Sequence, residues 1–186
     1  MNLSKRDLGL LLYNRAYIKG EFKLRSGIVS NEYFDKYCIM SDLFLMDQTG
    51  YHMSTIFQEW SEYIAFLSMG AIPLAGSLLK YLPNKTGLYV RKKRKEYGTQ
   101  KIIEGDYGNL KNCYVDIIED VVTTGGAVIQ AAKALRDEGA IVDTIVCIVN
   151  RTNLADEKQT NRWNDADLTL YGLYNMEELK KIANDI

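Results

Sequence analysis

One stretch constrains the fold more than any other: residues 114–127, Tyr-Val-Asp-Ile-Ile-Glu-Asp-Val-Val-Thr-Thr-Gly-Gly-Ala. It opens with an apolar run of strand-forming residues. Thr123, Thr124, Gly125 and Gly126 then make a tight turn, and helical spacing follows, with Val128, Ala131, Ala132 and Leu135 on one face. A strand, a turn and a helix start form a ready anion site, because the turn amides point at the ligand and the helix N-terminus carries about +0.5 of a charge. Gly125 and Gly126 permit positive φ and close backbone approach. Just before the turn stand two adjacent carboxylates, Glu119 and Asp120. Carboxylates beside a phosphate cradle are odd unless something neutral or cationic lies between. A sugar with free hydroxyls on one side and a phosphate on the other satisfies both. Gly-rich turns after apolar strands also occur with no ligand, so the acidic pair, not the glycines, narrows the reading.

The rest of the chain alternates helical and strand patterns, which implies a parallel sheet with helices on both faces and a ligand at the carboxyl ends of the strands. Residues 3–18 read as an amphipathic helix capped by Ser4, with Asp7 three residues on and Leu8, Leu11 and Leu12 on one face. Residues 21–27 read as a short strand and turn. Residues 55–69 read as a helix with Trp60 in the core, although residues 63–67 are also a good strand sequence. Further helices are expected over 74–82, 127–138 (stopped by Gly139) and 176–182, and strands over 86–90, 141–149 and 168–173. Residues 156–165 are polar and read as loop. The segment 91–105 is long, polar and lies between two strands. It opens with five consecutive basic residues, Arg91 to Lys95, which is either a solvated face or a mobile functional loop.

Length and charge set bounds. The 186 residues suggest one domain, and 47% hydrophobic residues suffice for a full core. With 23 basic and 24 acidic residues, the net charge of −1 points to neither nucleic acid nor an anionic membrane as partner. No apolar run approaches the roughly 20 residues that span a bilayer, and the N-terminus lacks a signal-peptide pattern. Cys38, Cys113 and Cys147 are widely spaced and odd in number, which argues for reduced thiols in the cytoplasm and against structural zinc. Cys113 and Cys147 lie in strand-like runs and are expected to be buried. His52 is the single histidine, so a multi-histidine metal site is excluded.

The run Glu119-Asp120-Val-Val-Thr123-Thr124-Gly125-Gly126 resembles the ribose-phosphate motif of type I phosphoribosyltransferases. That resemblance implies that Glu119 and Asp120 hold the ribose hydroxyls of phosphoribosyl pyrophosphate and that Thr123, Thr124, Gly125, Gly126 and Ala127 hold its 5-phosphate. Ala127 stands where many members have Ser or Thr. Three further segments resemble the orotate branch of the family. Phe22-Lys-Leu-Arg25-Ser-Gly followed by Ser30-Asn-Glu-Tyr33-Phe34-Asp looks like its N-terminal signature, so Arg25 (usually Lys), Tyr33 and Phe34 are expected to enclose the pyrimidine. Arg91, Lys92, Lys95 and Tyr97 match a mobile catalytic loop, with Tyr97 where many members have His. Asn150-Arg151 matches a strand end whose Arg meets the pyrimidine acid. Residues 66–75 resemble the pyrophosphate loop, but Phe66 and Ser68 replace a Gly and a Glu, and the bulk of Phe66 is expected to narrow the site.

The resemblance implies a single phosphoribosyltransferase domain over residues 1–186 with a mainly parallel central sheet. Residues 18–42 or so form a small N-terminal hood, and 91–105 form the mobile loop. It implies transfer from phosphoribosyl pyrophosphate to orotate, giving orotidine 5-monophosphate and pyrophosphate in de novo pyrimidine synthesis. Lys95, Tyr97, Glu119 and Asp120 would act at the reacting centre, Mg2+ would be held mainly through the substrate, and a homodimer would share its active sites. Two other readings stay open: transfer to another nucleobase, and a non-enzymatic relative that senses phosphoribosyl pyrophosphate.

Overall fold

The computed structural model describes residues 2–23, 27, 29–57, 60–92, 101–152 and 156–185. Helix α1 (Lys5–Ala16) starts where the sequence places it, with Ser4 accepting from the Asp7 amide. Strands β1 (Tyr17–Lys23) and β2 (Val29–Phe34) pair antiparallel into a separate two-stranded sheet, the hood. Helices α2 (Tyr37–Met40) and α3 (Leu43–Ser54) follow. Then come β3 (Tyr63–Leu67), α4 (Leu74–Leu79), β4 (Thr86–Val90), β5 (Ile103–Glu104) and β6 (Val115–Val122). The chain closes with α5 (Gly126–Asp137), β7 (Thr144–Asn150), α6 (Glu157–Ala166), β8 (Thr169–Asn175) and α7 (Met176–Asn184).

The main sheet has the order β5-β4-β3-β6-β7-β8, and every pair is parallel except β4–β5. Alternation along the strands divides the core into two layers. Ile64, Phe66, Ile118, Val146 and Ile148 face helices α1, α3, α4 and α7. Ala65, Leu67, Ile117, Ile145 and Cys147 face α5 and Trp163 of α6. The strand order turns back between β3 and β6. From β3 the chain leaves through α4 on one face, and from β6 through α5 on the other, so a crevice opens above the carboxyl ends of these two strands.

Four expectations need correction. The described residues of 55–69 do not form the expected helix; helix α3 ends at Ser54, and 63–67 is strand β3. Asp42 caps α3 by accepting from the Leu45 amide at 3.1 Å, and this cap signal outweighs the apolar spacing further on. Trp60 is consequently 61% exposed rather than in the core. Residues 156–165 are largely helix, not loop. Asp156 accepts from the Lys158 and Gln159 amides, while Trp163 is the one buried residue of α6, so no apolar stripe announces it. Cys147 is buried as expected, but Cys113 is only partly so.

Candidate active site

Strand β6 runs past its neighbour. Its pairing with β3 ends at Phe66 opposite Ile118, and the next two residues are Glu119 and Asp120. Both carboxylates therefore stand at the mouth of the crevice. Asp120 is 3% exposed. Its Oδ2 pairs with the ammonium of Lys36 from the turn between β2 and α2. The Glu119 Oε1 accepts from the Asp120 amide at 3.0 Å. Burial, and then the charge of Asp120, push the Glu119 carboxyl up to about 8. Burial opposes the charge on Lys36, but the hydrogen bond to Asp120 and the two carboxylate charges raise its pKa on balance.

The turn after β6 has the geometry that its glycines allow. Gly125 adopts φ 77°, and a Cβ there would stand 2.3 Å from Trp163 Cζ2, so the indole ring backs the loop. Arg162 of the same helix donates to Thr124 O at 3.3 Å. Helix α5 starts at Gly126, and its first-turn amides have no intrahelical acceptor. These groups share one cavity of about 770 Å³. Residues 123–127 line it at the β6 end, Ser68 and Gly70 at the β3 end, and Arg91 and Lys92 at the β4 end, with Lys36, Glu119 and Asp120 among them. Anion-binding backbone, carboxylates and cations thus follow one another across the strand ends. Such a site can hold a polyanion with a hydroxyl-bearing middle.

The other expected site residues divide between that cavity and the hood side. Arg91 is in the wall, with its Nε 3.2 Å from Glu104 Oε1. Arg151 follows β7; its amide donates to Val122 O at 2.8 Å, and its side chain points to Glu32 of the hood at 3.9 Å. Glu32 also accepts from Lys180 at 2.5 Å and from Tyr17 Oη at 3.0 Å. Tyr33 packs its ring 5.3 Å from Phe22. Phe34 is buried in the core layer with α1 and so is not free to cover a base. Among the described residues, neither Tyr33, Phe34 nor Arg151 lines the cavity that holds the carboxylates. Phe66 does not narrow that cavity; it is fully buried and stacks on Tyr89 at 5.9 Å. Arg25, Lys95 and Tyr97 fall outside the described residues. Sequence reasoning missed Lys36 and Trp163. Lys36 lies 84 residues from its partner, and Trp163 is a lone aromatic in a polar run.

The chain is 42% identical over 135 residues to an orotate phosphoribosyltransferase of Nocardioides sp., covering 73% of this chain and 74% of that one. The chain belongs to the orotate phosphoribosyltransferase family. A relative of the same name from Rhodopseudomonas palustris is 34% identical over 184 residues, covering 94% of this chain and 95% of its own length. The crystal structure of orotate phosphoribosyltransferase from Aeropyrum pernix superposes with a TM-score of 0.78 at 26% identity, covering 96% of this chain and 99% of that one. No family model matches the chain. The family drawn from the central motif, the hood signature and the basic run is thus the right one, and so is the fold, a type I phosphoribosyltransferase sheet with a small N-terminal hood.

Proposed function

We propose that this chain transfers the phosphoribosyl group of phosphoribosyl pyrophosphate to orotate, releasing pyrophosphate and forming orotidine 5-monophosphate. One observation carries the reading. In a member of this family, Glu119, Asp120 and the 123–127 loop share a cavity with Arg91 and Lys92. The loop amides take the 5-phosphate, the carboxylates accept from the ribose hydroxyls, and the pyrophosphate lies toward the cations at the ends of β3 and β4. The bond from the anomeric carbon to pyrophosphate breaks with its electron pair on the departing oxygen. The base nitrogen supplies the pair for the new bond, and its proton passes to solvent. Positive charge that grows on the sugar meets the Asp120 carboxylate and the oxygens of Glu119, while negative charge on the leaving group meets Arg91 and Lys92. Binding the remote phosphate fixes the reacting carbon.

Magnesium fits this site as an ion carried by the substrate. Among the described residues no three His, Cys, Asp or Glu groups gather to cage a metal. Magnesium keeps its waters readily and is held by phosphates with few protein ligands. Bound that way it would neutralise charge on the pyrophosphate oxygens. Free cysteines at positions 38, 113 and 147 support work in the cytoplasm. No helix among the described residues is long and apolar enough to cross a membrane. Loss of orotate absorbance on mixing with phosphoribosyl pyrophosphate and magnesium tests the reading. Turnover with adenine, hypoxanthine or uracil in place of orotate would overturn it.

Arg151 is the residue we assign to the orotate carboxylate. Its guanidinium already has a carboxylate, Glu32, on one side, so a second acid can share or replace that partner. Arg151→Ala should raise KM for orotate by about 10–100-fold, the worth of a charge-assisted hydrogen bond, and leave KM for phosphoribosyl pyrophosphate within about twofold. Equal increases in both constants would make Arg151 structural.

We assign the chain to a twofold dimer in which the basic loop of one subunit serves the other's site. Exposed apolar side chains support association, among them Tyr37 (54%), Leu43 (83%) and Phe44 (51%) around α2 and α3. Lys95→Ala and Asp120→Ala homodimers should each be nearly inactive. After subunit exchange in an equal mixture, about a quarter of all sites should carry both wild-type groups, and activity should return to that level. A mixture as inactive as its parents would confine the loop to its own subunit or remove it from catalysis.

A further inference from the structure

Lys36 belongs neither to the acidic strand end nor to the basic run, yet it lines the same cavity as Asp120, Arg91 and Lys92. The backbone that carries it is anchored on both sides. The Asp35 amide donates to Ala16 O at 2.7 Å, and the flanking apolar residues Phe34 and Ile39 are buried. From this fixed turn the side chain reaches across the crevice to Asp120. The path is open because residue 70 is glycine. A Cβ at Gly70 would lie 1.5 Å from Asp120 Oδ2 and 2.6 Å from Lys36 Nζ. Gly70 lies within the turn after β3, and β3 lies between β4, with its cations, and β6, with its carboxylates. Lys36 Nζ therefore lies in the cavity beside Asp120 and the Gly70 turn that follows β3.

A substrate that donates sugar hydroxyls to Asp120 takes away the acceptor Lys36 now uses. The ammonium, left beside a second carboxylate and a polyanion, needs a new partner within reach of a fixed backbone. Lysine suits such an exchange, being a compact charge on a flexible stem with three rotatable donors. The available acceptors are the pyrophosphate oxygens over the ends of β3 and β4. Resting on the phosphoribosyl-transfer reading, we propose that Lys36 is an exchanging counterion. It neutralises Asp120 in the free site and passes to the leaving pyrophosphate when the ribose hydroxyls engage Asp120. Lys36 is then a catalytic residue supplied by the hood, and it couples hood position to departure of the leaving group.

Two fragments separate its two partners. Binding of magnesium pyrophosphate and of ribose 5-phosphate is measured by calorimetry on wild type, Lys36→Gln and Lys36→Arg, alongside kcat with orotate. Lys36→Gln should weaken pyrophosphate by at least about tenfold, as loss of a charge-assisted hydrogen bond does. Ribose 5-phosphate should bind as well or better, because the competitor for Asp120 has gone. The kcat should fall about as far as pyrophosphate affinity, and Lys36→Arg should recover most of both. Equal weakening of the two fragments, or no change in either, overturns the proposal. A wild-type chain that binds both fragments but leaves orotate untouched defeats the orotate reading, while the fragment pattern still decides Lys36. A wild-type chain that binds neither fragment overturns both together.

Discussion

Asp120→Asn should lower kcat/KM for phosphoribosyl pyrophosphate by about 100-fold or more, equivalent to roughly 2.7 kcal/mol of transition-state stabilisation. The substitution keeps the shape of the side chain and removes its charge. Asp120 is nearly fully buried at the end of β6, where water screens little of that charge. A sugar hydroxyl that donates to it loses a charged acceptor, and the cationic character that develops at the anomeric carbon loses a counter-charge. The fold should survive. The side chain of Lys36 is 24% exposed, so its ammonium can turn to water or to Glu119 once its partner is neutral. Stability should fall by about 1–3 kcal/mol, which for a chain of this size lowers Tm by roughly 2–12 °C. Kinetics and thermal melting on one preparation check both halves. Wild-type kinetics in the variant would remove Asp120 from the site.

Substitution at the two adjacent glycines of the phosphate loop should weaken binding at both but move stability in opposite directions. At Gly125 the backbone has φ 77° and Trp163 stands where a Cβ would go. Gly125→Val therefore combines left-handed backbone strain of about 1–3 kcal/mol with overpacking of about 1–3 kcal/mol. It should lose thermal stability and phosphate binding together. Gly126 is helical and has no atom within 4 Å of its would-be Cβ, yet it lines the cavity. Gly126→Ala should keep or raise Tm, since alanine is better in a helix by about 0.5–1 kcal/mol. Its methyl group nonetheless occupies space that a bound phosphate needs, so affinity for phosphoribosyl pyrophosphate should fall by about tenfold or more, a loss of about 1.4 kcal/mol. A Gly126→Ala protein that binds substrate as wild type does would show that the phosphate rests elsewhere.

What the sequence determined by itself was local. Glu119, Asp120 and residues 123–127 are contiguous, so one strand, its turn and the first turn of α5 place them with no help from the rest of the fold. Near-continuous apolar runs along β3, β6 and β7, separated by helical segments, sufficed for a parallel sheet covered on both faces. The boundaries that went astray were those where a single capping side chain governs. Asp42 and Asp156 start helices that apolar spacing does not announce: α3 has little amphipathic contrast, and α6 is polar with Trp163 as its one buried residue. Only the tertiary structure decided what crosses the crevice. Lys36 meets Asp120, Trp163 backs Gly125, and Arg151 meets Glu32 across separations that no window of residues contains. It also decided that Phe34 and Phe66 are core rather than site, since the side of a strand that a ring faces depends on which layer of helices covers it. Short-range order follows from spacing along the chain. The partners of a charged side chain follow from which strand ends the topology brings together.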